Sequence, residues 1–532
     1  MVSQFDPASF PRADDDAATL ALDPNFVLPR RVAHWAERDP NRPFLIEVSG
    51  RTSTYGETLD GIRRWVRYLK EVGVRRGDYV LSMLPASIDA HCLWMATSCL
   101  GACEVPINPE LRGAFLEHAL TDAGARVCFA RPEIAPVAID AGIANLQVFK
   151  VDRQQPEAAQ ADPENIELPL PEDPSCVIYT SGTTGPAKGA ILSWAQMSAT
   201  IGRIPRSWFS ETDAVYSCHA MFHITGRSPM PAMSDVGGRI VLREHFSLAA
   251  FWEDIRHHGC TSTTAFVSLL MGQPEREDDD QNPLRVVFGG HDGRANRRFA
   301  ERFNVRTLDF YGSTEAGFPI GLRRPREEAA QRRDCGWLRR GYAAKICDEA
   351  GDEVDRGVAG ELLIRPPHRL LMTLGYLGQP EKTAAAIAEG WYRTGDRLIQ
   401  HVDESFEFVD RMRDTIRRMG ENISSSALEA SVASDPEVLE CAAIGLPDPT
   451  AGQEVALVVI PRPGCSLEPS ALFERLAQTL PRYMQPAYIV VTTADDLPRT
   501  PTRKIRKVAL PEWIDLEEAW TSPRAQAALK PR

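Results

Sequence analysis

Short apolar strands alternate with helix-period segments through the first half of this chain, and that alternation leaves few folds open to it. Arg51 to Tyr55 reads as a short strand, after which Leu59, Ile62, Val66 and Leu69 recur at helical spacing with Trp65 beside them. Gly77-Asp78 marks a turn and Tyr79 to Leu84 the next apolar strand. Residues 91 to 103 form an apolar helix, and Arg126 to Ala130 and Cys176 to Tyr179 are further strands. A strand that must be followed by a helix before the next strand cannot use tight hairpins. The expected fold is therefore α/β, with largely parallel sheets covered by helices on both faces.

Composition changes near Asp410. The charged segment Asp410-Arg411-Met412-Arg413-Asp414 is followed by a compact pattern: a helix over Ala427 to Val432, strands over Val438 to Leu446 and Val455 to Ile460, a helix over Leu472 to Leu480 and a strand over Tyr488 to Thr492. A boundary at about residue 411 gives a large domain over 1–410 and a small α/β domain over 411–532. With 60 Lys and Arg against 73 Asp and Glu, the net charge of −13 opposes a nucleic-acid surface, so any anionic substrate must be met by local positive charge. No apolar run approaches the ~20 residues of a membrane span, and the N-terminal stretch with Asp14, Asp15 and Asp16 lacks a secretory leader. Eleven cysteines without a CxxC pair read as reduced core residues, which points to the cytoplasm.

The densest chemistry lies in Tyr179-Thr180-Ser181-Gly182-Thr183-Thr184-Gly185-Pro186-Ala187-Lys188-Gly189. An apolar strand runs into glycines that let backbone N–H groups crowd round an anion, hydroxyls add donors and Lys188 adds a charge. This is a phosphate cradle whose spacing differs from GxxxxGK[ST]. A second segment, Asp309-Phe310-Tyr311-Gly312-Ser313-Thr314-Glu315-Ala316-Gly317, combines an aromatic residue for a purine, a hydroxyl for a phosphate and a carboxylate for Mg²⁺. A third, Tyr392-Arg393-Thr394-Gly395-Asp396, places an acid after a Gly turn where it can accept ribose hydroxyls; a plain β-turn would read the same way. The fourth runs from Asp410 through Gly420-Glu421-Asn422-Ile423-Ser424, and the fifth is Pro498-Arg499-Thr500-Pro501-Thr502-Arg503-Lys504-Ile505-Arg506-Lys507.

In this order and at these separations the five segments resemble the adenylate-forming superfamily of acyl-CoA synthetases, aryl-CoA ligases, luciferases and peptide-synthetase adenylation domains. The resemblance runs from about residue 30 to about residue 510 and includes Gly77-Asp78-Tyr79 and Pro106-Ile107-Asn108. The Met221-Phe222-His223 turn and Met419-Gly420-Glu421-Asn422-Ile423-Ser424 look most like ligases of the carnitine/crotonobetaine-CoA type. The resemblance implies ATP, Mg²⁺ and coenzyme A as cofactors, a small carboxylic acid as substrate, and a monomer or homodimer. It places Thr180, Ser181, Gly182, Thr183, Thr184 and Lys188 on the ATP phosphates. Gly289, Gly290, Asp309, Phe310, Tyr311 and Gly312 would line the adenine pocket, with Tyr311 stacked on the base. Thr314 would bond the α-phosphate and Glu315 hold Mg²⁺; Asp396 and Arg411 would clasp the ribose. Lys504 would bridge acid and α-phosphate, with His223 at the mouth of the acid pocket. Gly420, Glu421 and Asn422 would form the thiol-side loop. The small domain would be mobile about a hinge at 411–414, centred on Arg413. An amide synthetase, a carrier-loading ligase and a non-catalytic nucleotide sensor are the competing readings.

Three departures stand out. Proline precedes Ala187 rather than Lys188. Arg503 occupies the position before the lysine where the family usually has Gly, which either strains the turn or adds a positive contact. Phe288-Gly289-Gly290-His291-Asp292 replaces the family's usual wording, so His291 and Asp292 either shape the acid pocket or are ordinary loop residues. The arginine run Arg323, Arg324, Arg326, Arg332, Arg333, Arg339 and Arg340 is read either as an attractor for CoA phosphates or as a charge-mixed exposed loop.

Overall fold

The structure, a computed structural model, describes residues 17–111, 113–152, 166–180, 187–200, 208–264, 267–288, 293–321, 334–418, 421–448, 451–480, 482–499 and 503–525. The chain divides into two compact units: Met1–Lys345, Leu363–Thr394 and His401–Glu407 form the first, and Ile346–Leu362, Gly395–Gln400 and Phe408–Arg532 form the second.

Among the described residues the first unit contains two seven-stranded sheets. One runs Gly375–Tyr376, Lys188–Ser193, Pro174–Thr180, Cys103–Pro106, Tyr79–Met83, Val127–Ala130, Gln147–Lys150. It is parallel except at its first two pairings. The other runs Arg306–Leu308, Val286–Phe288, Ser262–Thr264, Ala214–Ser217, Arg239–Leu242, Pro43–Glu47, Thr52–Thr54, and only its last pairing is antiparallel. The mostly parallel α/β arrangement follows from the strand–helix alternation, because each crossover helix must lie on a sheet face.

Helices Tyr55–Glu71 and Ile88–Cys99 pack in the core shared by the two sheets, among Phe44, Leu45, Val80, Phe129, Ile178, Leu192, Val215 and Ile240. A capping box starts the first: the Glu57 amide donates to Thr54 Oγ1 at 3.1 Å and the Thr54 amide to Glu57 Oε2 at 2.8 Å. The second is buried at every position and begins at Ile88, where Ser87 accepts from the Ala90 amide, earlier than apolar periodicity alone suggests. It also ends earlier, and Cys103–Pro106 is a strand. Helix burial on all sides demands that its polar groups find partners. Asp89 accepts from Arg51, Thr97 donates to the Leu93 carbonyl, and Trp94 stacks on Trp194 with ring centres 5.0 Å apart. The outer faces are covered in the same way. Leu116, Leu120 and Ala138 close one sheet, and Phe251, Ile255, Phe299 and Phe303 close the other.

In the second unit, Val438–Asp448 pairs antiparallel with Gly452–Pro461, beside which Tyr488–Val491 runs parallel. Helices Ser425–Ala433 and Pro469–Thr479 supply Leu428, Val432, Leu472 and Leu476 to the core on one face, while Leu497, Leu510 and Ile514 cover the other. Arg418 is fully buried: Nε lies 2.9 Å from Glu454, and Nη1 donates to the Tyr483 carbonyl at 2.6 Å. All eleven cysteines are free; Cys92 through Cys347 are buried as core residues, whereas Cys441 is only partly buried and Cys465 is exposed, against the expectation that all eleven fill the core. Among the described residues no helix is long and apolar enough to cross a membrane.

His91 on the buried helix has Nδ1 2.8 Å from the Ser87 carbonyl. Burial, with the charge of Arg227, pulls its pKa from 6.5 to about 4. The unfolded chain thus binds the proton at a higher pH than the folded one. Stability is expected to fall as pH drops from about 6.5 towards 4 and to level off below, by about 3 kcal/mol at full extent. Denaturant melts across this range should show a shallower pH slope in His91→Gln.

Candidate functional site

The first unit gathers three of the segments' polar side chains, Thr180, Lys188 and Glu315, around Tyr376 at one sheet edge. Strands Pro174–Thr180 and Lys188–Ser193 pair so that Thr180 faces Lys188, which brings the two ends of the Gly/Ser/Thr loop together. Ser181, Gly182, Thr183 and Thr184 themselves lie outside the described residues. Thr180 Oγ1 donates to Glu315 Oε1 at 3.1 Å, and the Tyr376 hydroxyl donates to the same oxygen at 3.1 Å. Lys188 Nζ stands 5.0 Å from the centre of the Tyr376 ring. Glu315 is 8% exposed. Burial and the Glu315 charge push the Tyr376 and Tyr392 phenols up, so both stay protonated as donors.

The turn carrying Thr314 and Glu315 is held from behind by its backbone. Gln196 Nε2 donates to the Thr314 carbonyl at 2.8 Å, and the Thr373 amide donates to the Glu315 carbonyl at 2.7 Å. Tyr311–Ser313 and Gly317–Gly321 form the antiparallel pair around it. Gly312 is required there, because a Cβ would meet the Gly317 carbonyl oxygen at 2.5 Å and the Phe318 ring at 2.7 Å. Tyr311 is 1% exposed, Phe310 packs near Phe288 and Phe318, and Asp309 accepts from Asn296. His223 immediately precedes the short helix Ile224–Arg227, makes no side-chain capping bond to it, and is partly buried. The helix is anchored by Arg227, which is fully buried 2.8 Å from Glu104 and donates to the Met221 carbonyl at 2.6 Å. Gly289, Gly290, His291 and Asp292 lie outside the described residues.

The second unit holds the remaining residues. Arg411 Nε is 3.6 Å from Asp396 Oδ1; Asp396 is largely buried and Arg411 half exposed. Asp396 follows Gly395, which lies inside the strand Trp391–Gln400 rather than in the turn expected from the sequence; its φ of 67° is left-handed and its amide donates to Glu361 at 3.2 Å. Lys504 retains solvent-accessible surface, yet crowding by protein and the like charge of Arg411 hold its ammonium below the ordinary lysine pKa. Glu421 and Asn422 pair through their backbones with Arg418 and Arg417. Gly420 is outside the described residues, and Arg413 lies in the 3₁₀ turn Met412–Asp414.

Several contributors escape a reading of the sequence. Tyr376 and Gln196 sit in no recognisable motif, and Tyr392 reads only as the start of a Gly turn; an aromatic directly after the left-handed Gly375 was the available signal. Asp410, read from the sequence only as part of a charged segment, is a buried residue of the strand Ser405–Arg411. Its carboxylate accepts from Ser425 Oγ at 2.9 Å and the Ser426 amide at 3.2 Å. Arg339 fits neither reading of the arginine run, being buried with its guanidinium on the Phe318 and Ala199 carbonyls. Residues 322–333 of that run lie outside the described residues.

Residues 32–377 match the AMP-binding enzyme family, and residues 427–504 match the AMP-binding enzyme C-terminal domain. The chain belongs to the AMP-binding enzyme family. Sulfoacetate–CoA ligase of Cupriavidus necator is 28% identical over 500 residues, covering 90% of this chain and 96% of its own. Crotonobetaine/carnitine–CoA ligase of Proteus mirabilis is 28% identical over 487 residues, covering 86% and 92%. The fold of this AMP-binding enzyme is shared with the anthranilate CoA ligase AuaEII in complex with anthranoyl-AMP. That structure has a TM-score of 0.81 at 22% identity, over 93% of this chain and 98% of the other.

Glu315→Gln keeps the shape of the site and removes its negative charge. Acid-dependent pyrophosphate release from ATP is expected to fall about 10²–10³-fold, with thermal stability close to the parent's, as checked by initial rates and melting curves.

Proposed function

We propose that this AMP-binding enzyme is an ATP-dependent carboxylic acid–CoA ligase, which forms an acyl-AMP with release of pyrophosphate and then the acyl-CoA thioester. The observation that carries the reading is the convergence of Thr180, Lys188, Glu315 and Tyr376 at the ends of the Gly/Ser/Thr loop, in a chain whose relatives at 28% identity are CoA ligases.

A carboxylate is a weak electrophile, so its oxygen attacks the α-phosphorus and pyrophosphate leaves. The barrier is set by positioning and by neutralising charge on the transferring group. In this reading Ser181, Gly182, Thr183, Thr184 and Lys188 hold the β- and γ-phosphates, with Thr180 at the loop's base. Gly289, Gly290, Asp309, Phe310, Tyr311 and Gly312 line the base site, Thr314 meets the α-phosphate, and Asp396 with Arg411 takes the ribose. Glu315 suits Mg²⁺: both hydroxyl donors bind Oε1, and among the described residues none binds Oε2, a hard oxygen ligand in a nearly buried carboxylate. Bound there, Mg²⁺ would neutralise phosphate charge. His223 stands at the acid pocket. Lys504 supplies positive charge between acid and α-phosphate, and Gly420, Glu421 and Asn422 serve the thiol half-reaction. The same reading makes residues 411–532 a mobile domain hinged near Arg413, apart from the adenylation domain over 1–410.

Pyrophosphate release across a panel of carboxylic acids, with and without CoA, tests the function. Release that depends on one acid class and yields its CoA thioester supports it; acyl-AMP that accumulates despite CoA, or no release with any acid, contradicts it. Lys504→Ala is expected to abolish acyl-AMP formation while supplied acyl-AMP is still converted to thioester; equal loss of both steps would remove Lys504 from its role.

A further inference from the structure

Lys504 follows a residue in an unusual backbone state. Arg503 has φ of 59°, in the left-handed region where a side chain crowds its own carbonyl and where glycine alone is at ease. Such a conformation persists only where surrounding contacts over-determine it. Among the described residues, one side chain makes several of these contacts. Arg499 Nη1 donates to the Arg503 carbonyl at 2.6 Å and to Glu440 Oε1 at 3.1 Å. Its Nη2 donates to Glu440 Oε2 at 2.7 Å, and its Nε donates to the Ala494 carbonyl at 3.1 Å.

All three nitrogens of the guanidinium are therefore engaged. The bidentate half grips a carboxylate on the long strand Val438–Asp448, and a third bond reaches the carbonyl next to Lys504. Backbone pairing closes the same loop: Arg499 bridges Ile505 and the Arg506 amide donates to the Pro498 carbonyl at 2.7 Å. The ion pair is only partly exposed, with side chains 19% and 33% accessible.

We infer that Arg499 is a positioning residue: anchored on Glu440, it holds Arg503 in the left-handed conformation that aims Lys504. The inference rests on the role of Lys504 proposed above. A lysine is a poor fit for position 499, since a point charge cannot hold a carboxylate in two bonds and a carbonyl in a third. It also explains how an arginine is tolerated at 503. The clamp takes up the strain that glycine would never incur, so the need for the clamp should vanish when Arg503 becomes glycine.

The test is acid-dependent ATP–pyrophosphate exchange in the full chain, set beside thioester formation from supplied acyl-AMP. Arg499→Ala is expected to lower exchange about 30-fold while the thioester step stays within about twofold, because losing alignment near the reacting centre costs of this order. Adding Arg503→Gly to Arg499→Ala should restore exchange to within about threefold of the parent. Arg503→Gly alone should leave it nearly unchanged. Glu440→Gln, which weakens the anchor and keeps its shape, should lose about fivefold and serves if Arg499→Ala does not fold. Equal loss in both half-reactions, or no restoration by Arg503→Gly, would overturn the inference. Lys504→Ala separates the two levels. If it keeps exchange, the role of Lys504 is wrong; if it abolishes exchange while Arg499→Ala and Glu440→Gln are silent, only the clamp is wrong.

Discussion

The antiparallel pairing of Pro174–Thr180 with Lys188–Ser193 is the constraint on which the first unit's chemistry depends. It turns an otherwise parallel sheet back on itself at one edge, and the register sets Thr180 opposite Lys188. The Gly/Ser/Thr segment must then close between two fixed points. The pairing also carries the site laterally, since the Leu377 amide donates to the Gly189 carbonyl and Gly375 pairs with Ile191. Tyr376 is thereby delivered to Lys188 and Glu315. One shift of register would reverse every side chain on the strand and separate the hydroxyl of Thr180 from the carboxylate it serves.

Buried charge does the corresponding work of alignment elsewhere. Arg227 with Glu104 anchors the turn behind His223, Arg418 with Glu454 anchors the short strand of the second unit, and Asp410 organises Ser424, Ser425 and Ser426. Burying such groups contributes little net stability when paired, but removing one partner leaves the other stranded at a cost of about 3–5 kcal/mol. These pairs therefore specify position more than they add stability. Arg499 is less buried but works by the same kind of pairing: held on Glu440, it donates to the Arg503 carbonyl, next to Lys504.

The sheets were legible because their signal is periodic. Leu59, Ile62, Val66 and Leu69 could face only a core, and Tyr79 to Leu84 could be only a buried strand. The Ile88–Cys99 helix was less so, since a helix buried on every side has no polar face from which to read its ends, and Ser87 set its start. Thr180, Lys188 and Glu315 in the first unit, and Asp396 and Arg411 in the second, lie in motifs whose residue types suggest a chemistry from the sequence alone. Tyr376 and Gln196 do not. They reach Glu315 and the Thr314–Glu315 backbone through tertiary packing across 61 and 118 residues respectively, which no local pattern records. Arg503 was legible as an anomaly, and its left-handed backbone together with Arg499 supplies the physical reason.

The central claim is that the acid's own oxygen attacks the α-phosphorus of ATP. It is tested most directly by turnover with CoA of a substrate acid labelled with ¹⁸O in its carboxylate, followed by mass spectrometry of the nucleotide and phosphate products. The account predicts one ¹⁸O atom in AMP and none in pyrophosphate. Label appearing in inorganic phosphate with ADP as the nucleotide product, or unlabelled AMP, would contradict it.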